Sequence, residues 1–187
     1  MSASKSPLGF WKTAFIYGGP AGLLIISVMV SGFLIFGLES SAGSQVFGFL
    51  LMFFILSLIF FGMKRFRDFD QGGIIKFSQG LGLGLAMSLF AGLAYVIIWE
   101  IYLMMTDHSF IHQYTDQLIE QQKSKGISGE ALTEFIGKMT EMKENYAKPG
   151  YRIPLTFAEI FPMGFIVTLV SALFLHQPKL WARKGKS

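Results

Sequence analysis

The stretch that decides the fold is SQGLGLGLAMSLFAGLAYVIIWEIYLMM, residues 78–105. It carries a single charged side chain, Glu100. A helix needs about 20 predominantly apolar residues to cross the hydrocarbon core of a bilayer. Because backbone amides in lipid must be hydrogen-bonded within the chain, this stretch predicts a transmembrane helix rather than a strand.

Three further stretches have the same character. They cover residues 14–37, 46–62 and 155–176, and their only charged residue is Glu159. Charged residues make up only 15% of the chain, against about 25% in soluble domains, which excludes an ordinary soluble enzyme or a nucleic-acid scaffold. We therefore predict an all-α integral membrane four-helix bundle, a single domain that contacts the lipid bilayer. We expect the first span to be retained, because its apolar region exceeds the core of about 7–15 residues found in signal peptides.

The basic residues predict how the spans are oriented. Ten of the 16 lie in the two terminal tails and in the connection 63–77, whereas the connection 38–45 has none. Since positively charged segments stay in the cytoplasm, both termini and the connection 63–77 should be cytoplasmic. Within that connection we expect Lys64, Arg65 and Arg67 to contact anionic lipid headgroups on the inner face.

The segment 106–154 between the third and fourth spans does not resemble a linker. Apolar residues recur at three- and four-residue steps before and after a break at residues 126–129, which predicts two amphipathic helices. Ser128 is a candidate N-cap of the second helix. We predict an extracytoplasmic antiparallel helical hairpin that packs on itself; lying on the lipid surface and binding another protein are the alternatives. Because no helix breaker separates Met105 from Asp107, the third span is expected to continue into the hairpin as one rod.

Small residues predict which helix lies at the centre of the bundle. Gly80, Gly84, Ser88 and Gly92 recur at four-residue steps along the third span. Small side chains let membrane helices approach closely, so we place this helix at the centre. Packing within one chain is favoured over homodimerisation through the same residues.

Glu100 and Glu159 are the candidate membrane carboxylates. A carboxylate at membrane depth is costly and commonly functional. Counted from the ends of the predicted spans, both lie about 6–7 Å inside the bilayer on the outer side. They could face each other and relay a proton or hold a cation; alternatively each is an interfacial anchor, hydrated or paired with Arg152 or Lys148. Pro162 is a candidate kink beside Glu159.

A metal site and an active site find little support. His108, His112, Asp116 and Glu120 recur every four residues, and two histidines at this spacing can share a metal. A solvated polar face is the favoured interpretation, with no metal bound. The chain has no Cys, no nucleophile motif and no dinucleotide fingerprint. We therefore predict a protein that is not an enzyme, needs no cofactor and binds no nucleic acid.

Two short motifs carry a family resemblance. Arg67-Asp68 is followed by GGIIKF at residues 72–77, and the last span contains EIFPMG at 159–164. Together with the charged helical segment 106–154, they resemble a bacterial family of small four-span inner-membrane proteins known only as a domain of unknown function. The resemblance covers nearly the whole chain and implies a helical bundle without implying an activity. We expect a scaffold or accessory subunit with a membrane-protein partner or a second copy; the alternative is a small transporter or relay using Glu100 and Glu159.

Overall fold

The computed structural model describes residues 7–37 and 45–177, and these residues form helices and no strands. The helices are α1 Phe10–Phe36, α2 Gln45–Leu56, α3 Leu58–Phe69, α4 Phe77–Met105, α5 Ser109–Ser124, α6 Gly129–Tyr146 and α7 Pro149–Leu175. Residues 38–44 of the predicted connection 38–45 and the tail residues Lys5 and 179–186, which include basic residues counted above, lie outside the described residues.

Four helical segments are long and apolar enough to cross a membrane, which confirms the predicted four-helix bundle. They are α1, the segment Val46–Phe69 that combines α2 and α3, α4 and α7. Residue Ser57 interrupts the second of them between α2 and α3. This segment runs seven residues beyond the predicted Gly62, because lysine and arginine favour helix and so do not end it. These basic residues are paired with nearby carboxylates.

Helix α4 lies between α1 and α7 and contacts both through small residues. A methyl group placed at Gly18 or Gly22 of α1 would overlap the backbone carbonyl of Met87 or Ala91, respectively. On the other side of α4, Gly84 leaves room for the Thr168 side chain of α7. The small residues of α4 are therefore used inside one chain, and α4 is the central helix that the sequence indicated.

The third span does not continue into the hairpin, so the prediction of one long rod was wrong. Asp107 and His108 have φ angles of 47° and 56°, in the left-handed region that ends a right-handed helix. The His108 N–H closes the end of α4 by donating to the Leu103 carbonyl at 2.9 Å. This turn lets α5 start in a new direction at Ser109.

Helices α5 and α6 form the predicted antiparallel hairpin. Lys143 of α6 and Asp116 of α5 form an ion pair at 2.9 Å. Ser128 precedes α6 as predicted, but its hydroxyl makes no capping hydrogen bond. The hairpin also packs on the bundle, since Phe110 of α5 lies 4.7 Å from the Trp99 ring of α4, centroid to centroid.

The last span begins six residues earlier than predicted. Proline at the first helical position needs no hydrogen-bond partner for a backbone N–H, and Pro149 takes that position in α7. The helix therefore starts at the end of the hairpin, and its first turns stand beside α6. We call this side of the molecule the hairpin end, and the opposite side, where α1 begins and α7 ends, the termini end.

Candidate functional site

Helices α4 and α7 pack in a regular antiparallel register that sets the level of every side chain on them. Gly80 faces Ala172, Gly84 faces Thr168 and Ser88 faces Gly164. The Ser88 and Thr168 hydroxyls also lie 3.3 Å apart. Each step of four residues along α4 matches a step of four residues back along α7. Continued in the same way, the register places Glu100 of α4 opposite Arg152 of α7.

Glu100 and Arg152 form a two-bonded ion pair at the hairpin end. Arg152 donates from Nε to Oε1 of Glu100 at 2.8 Å and from Nη2 to Oε2 at 2.6 Å. The arginine side chain is only 3% exposed, against 21% for the glutamate. The remaining guanidinium nitrogen, Nη1, donates to the Tyr146 carbonyl at 3.0 Å. One buried cation thus joins α4, α6 and α7.

A second polar contact joins the hairpin to α4. Trp99 donates from Nε1 to the Tyr146 hydroxyl at 2.8 Å. Burial raises the pKa of Tyr146 to about 12, and the nearby Glu159 carboxyl acts in the same direction. Tyr146 therefore keeps its proton at neutral pH. We call Trp99, Glu100, Tyr146 and Arg152 the hairpin clamp, since they fasten the end of α6 to the spans.

Glu159 makes no hydrogen bond or ion pair with the hairpin clamp. It lies seven residues beyond Arg152 on α7, about 10 Å further from the hairpin end. In the observed register its level is that of Leu93, two residues from Ala91 at the middle of α4. Its side chain is exposed, and no hydrogen bond or ion pair joins it to another residue in the described ranges.

The structure therefore does not bring the two membrane carboxylates together. The prediction of equal depth assumed a span that starts at Leu155, whereas α7 starts at Pro149 and places Glu159 near the middle of the bundle. Glu100 takes the alternative partner that the sequence offered, Arg152. Pro162 lies inside α7, one turn beyond Glu159, and its ring is exposed.

The three basic residues that were predicted to contact lipid headgroups lie at the termini end. Arg67 is fully buried; it donates from Nε to Asp68 at 2.8 Å and from Nη1 to the Leu175 carbonyl at 3.5 Å. A positive charge is favourable at a helix C-terminus, so Arg67 stabilises the C-terminal end of α7. The prediction that Arg67 contacts lipid headgroups was wrong for this reason. Lys64 and Arg65 are 29% and 13% exposed, and their headgroup contact stays a prediction.

The histidines of the hairpin do not form a metal centre with their predicted neighbours. His108 lies before α5 in the left-handed turn, which breaks the helical spacing to His112. Asp116 is paired with Lys143 and Glu120 with Lys123. No group of three potential ligands converges in the part of the chain that the structure describes. A cleft of about 360 Å³ is lined by His108, Ile111, His112, Lys143, Glu144, Tyr146 and Ala147.

Comparisons with known proteins place the chain in a family. Searches of curated proteins and of solved structures gave no match. The model of one family, described as "Protein of unknown function (DUF4199)", matches residues 16–177. This match covers α1 from Ile16 onwards, the other three spans and the hairpin, so it includes the hairpin clamp and Glu159. The chain is thus a multi-pass membrane protein that belongs to the DUF4199 family.

Proposed function

We propose that this protein is a non-enzymatic scaffold or accessory subunit of a bacterial cytoplasmic membrane. One observation carries the proposal: the buried polar side chains of the described residues are bonded within the chain. Arg152 is bonded to Glu100, Arg67 to the Leu175 carbonyl, and Ser88 to Thr168. These groups hold helices together, which supports a structural role over substrate binding.

The hairpin clamp gives this role a physical basis. Two charge-assisted hydrogen bonds, which are stronger than neutral ones, join Arg152 of α7 to Glu100 of α4. The bonds from Arg152 to the Tyr146 carbonyl and from Trp99 to the Tyr146 hydroxyl add α6 to this pair. A hairpin fixed in this way presents its outer face in one orientation, which lowers the entropic cost of binding a partner. In this proposal the hairpin faces the outside and both termini face the cytoplasm, as the charge distribution favours.

A relay remains the second candidate function, and Glu159 is the observation that favours it. This carboxyl group is exposed and unbonded among the described residues at mid-bundle depth. A relay through Glu100 has less support, because both oxygens of that carboxylate accept hydrogen bonds from Arg152. The relay candidate therefore depends on Glu159 alone.

Two experiments separate the candidates. A tagged chain is extracted from its native membrane into nanodiscs, purified and analysed for stoichiometric companions and for its own oligomeric state. A defined companion or a defined oligomer supports the scaffold role; a monomer without companions contradicts it. In the second experiment, proton and cation flux into proteoliposomes is measured for the wild type and for Glu159→Gln. A flux that the substitution abolishes would favour the relay.

A further inference from the structure

Glu159 lies on a continuous exposed face of α7. The residues of this face, spaced alternately by four and three, are Leu155, Glu159, Pro162, Ile166, Leu169 and Leu173. All of them are exposed except Leu169, which is partly exposed. Alternating steps of four and three are the spacing with which one helix packs along another. We call these six residues the Glu159 face.

The depth of Glu159 makes an unpaired carboxyl group costly. The hydrocarbon core is about 30 Å thick, or about 20 residues of straight helix. A layer of that thickness centred on Ala91 of α4 includes the level of Leu93, where Glu159 lies. Carboxyl groups at this depth usually face protein or water and pair with another group.

The groups nearest to Glu159 are already engaged. Arg152 is bound to Glu100 and to the Tyr146 carbonyl. The Tyr146 hydroxyl accepts a hydrogen bond from Trp99, and the Tyr95 hydroxyl donates to the Met29 sulfur at 3.6 Å. Among the described residues, therefore, no basic side chain forms an ion pair with Glu159.

We propose that the Glu159 face binds a transmembrane helix of a different membrane protein, one that carries a lysine or arginine side chain within the hydrocarbon layer. Charge complementarity carries the argument: a basic side chain from a neighbouring helix would neutralise the only carboxyl group of the Glu159 face. A second copy of the chain fits poorly, because a two-fold axis along this face would bring two Glu159 side chains together. The inference rests on the accessory role proposed above and adds to the hairpin a contact surface within the membrane and the chemistry of the partner that it binds.

The test uses a defined probe. The chain is labelled with a donor fluorophore at Gly150→Cys, where the side chain would meet no neighbouring atom within 4 Å, and reconstituted in phosphatidylcholine vesicles. The chain has no other cysteine. Its association with an acceptor-labelled leucine–alanine transmembrane peptide carrying one central arginine is measured by energy transfer. The matched peptide has leucine at that position.

The arginine peptide should associate about 3- to 20-fold more tightly than the leucine peptide, the range that polar contacts between membrane helices produce. Glu159→Gln should abolish this preference, Glu159→Asp should retain most of it, and Glu144→Gln on the hairpin should not change it. Unchanged helicity and a monodisperse elution profile show that each variant is folded. Equal binding of the two peptides, an unchanged preference in Glu159→Gln, or self-association through α7 would overturn the inference.

Extraction from the native membrane separates this inference from the accessory role. A companion that co-purifies with the wild type and is lost from Glu159→Gln supports both. A companion retained by Glu159→Gln supports the accessory role and overturns the proposed contact surface. A chain that is monomeric and has no companion in either form contradicts the accessory role, and the inference fails with it.

Discussion

Replacing Arg152 with methionine tests whether the hairpin clamp holds the hairpin on the bundle. The substitution keeps an unbranched side chain but removes the two hydrogen bonds to Glu100 and the one to the Tyr146 carbonyl. Breaking a buried ion pair by removing one partner costs about 3–5 kcal/mol. Glu100 is 21% exposed, so water recovers part of its solvation. We expect Arg152→Met to lower the free energy of unfolding by about 2–3 kcal/mol.

The assay is equilibrium unfolding in detergent micelles, arranged as a double-mutant cycle with Glu100→Gln. Because the second substitution removes the charge that the first leaves unpaired, the double variant should be more stable than the sum of the single losses predicts. Lys148→Met is the control, since Lys148 lies on the exposed surface beside the clamp, and it should change stability by less than about 0.5 kcal/mol. Additive losses, or an Arg152→Met variant as stable as the control, would refute the role of the clamp.

Three further predictions concern packing, pH and the termini end. Gly22→Ala should lower stability by about 1–3 kcal/mol, because its methyl group would overlap the Ala91 carbonyl; Gly82→Ala, which meets no atom within 4 Å, should be neutral or stabilising in the same unfolding assay. The hydrogen bond from Lys143 lowers the pKa of Asp116, so this pair stabilises the hairpin above the ordinary carboxyl pKa and is lost as the pH falls through the lowered value. An NMR titration should show the pKa of Asp116 rising towards its ordinary value in Lys143→Met, and an unchanged value would contradict the pairing. Arg67→Met should destabilise the bundle by about 3 kcal/mol or more. A variant that unfolds at the same temperature as the wild type would show that the contacts of Arg67 do not stabilise the bundle.

Local patterns predicted most of the fold. The length of the apolar stretches predicted the four spans, and the four-residue spacing of Gly80, Gly84 and Ser88 predicted the central helix. Both signals depend on residues that are close together in the chain. The turn at Asp107 and His108 was missed, since neither residue is a usual helix breaker. Asp and His enter the left-handed region only occasionally, so residue type alone did not mark the end of α4.

The candidate site was harder to predict because its partners are distant in sequence. Glu100 and Arg152 are 52 residues apart, and Trp99 and Tyr146 are 47 apart. The sequence offered Arg152 as one of two partners, but only the α4–α7 register selects it over Lys148. The true start of α7 could have been suspected from Pro149, which favours the first position of a helix. That one shift of six residues moves Glu159 from the interface to the middle of the bundle.

The measurement that tests the central claim most directly is the depth of α7 in a bilayer. Single cysteines at Tyr151 and Ile166, which are 48% and 50% exposed, are spin-labelled in the otherwise cysteine-free chain and reconstituted in nanodiscs. Collision rates with oxygen and with a water-soluble nickel chelate are then compared. Our account predicts that oxygen dominates at Ile166 and the chelate at Tyr151. Equal access of the chelate to both labels would show that this face of α7 lies in water and would contradict the membrane-spanning bundle.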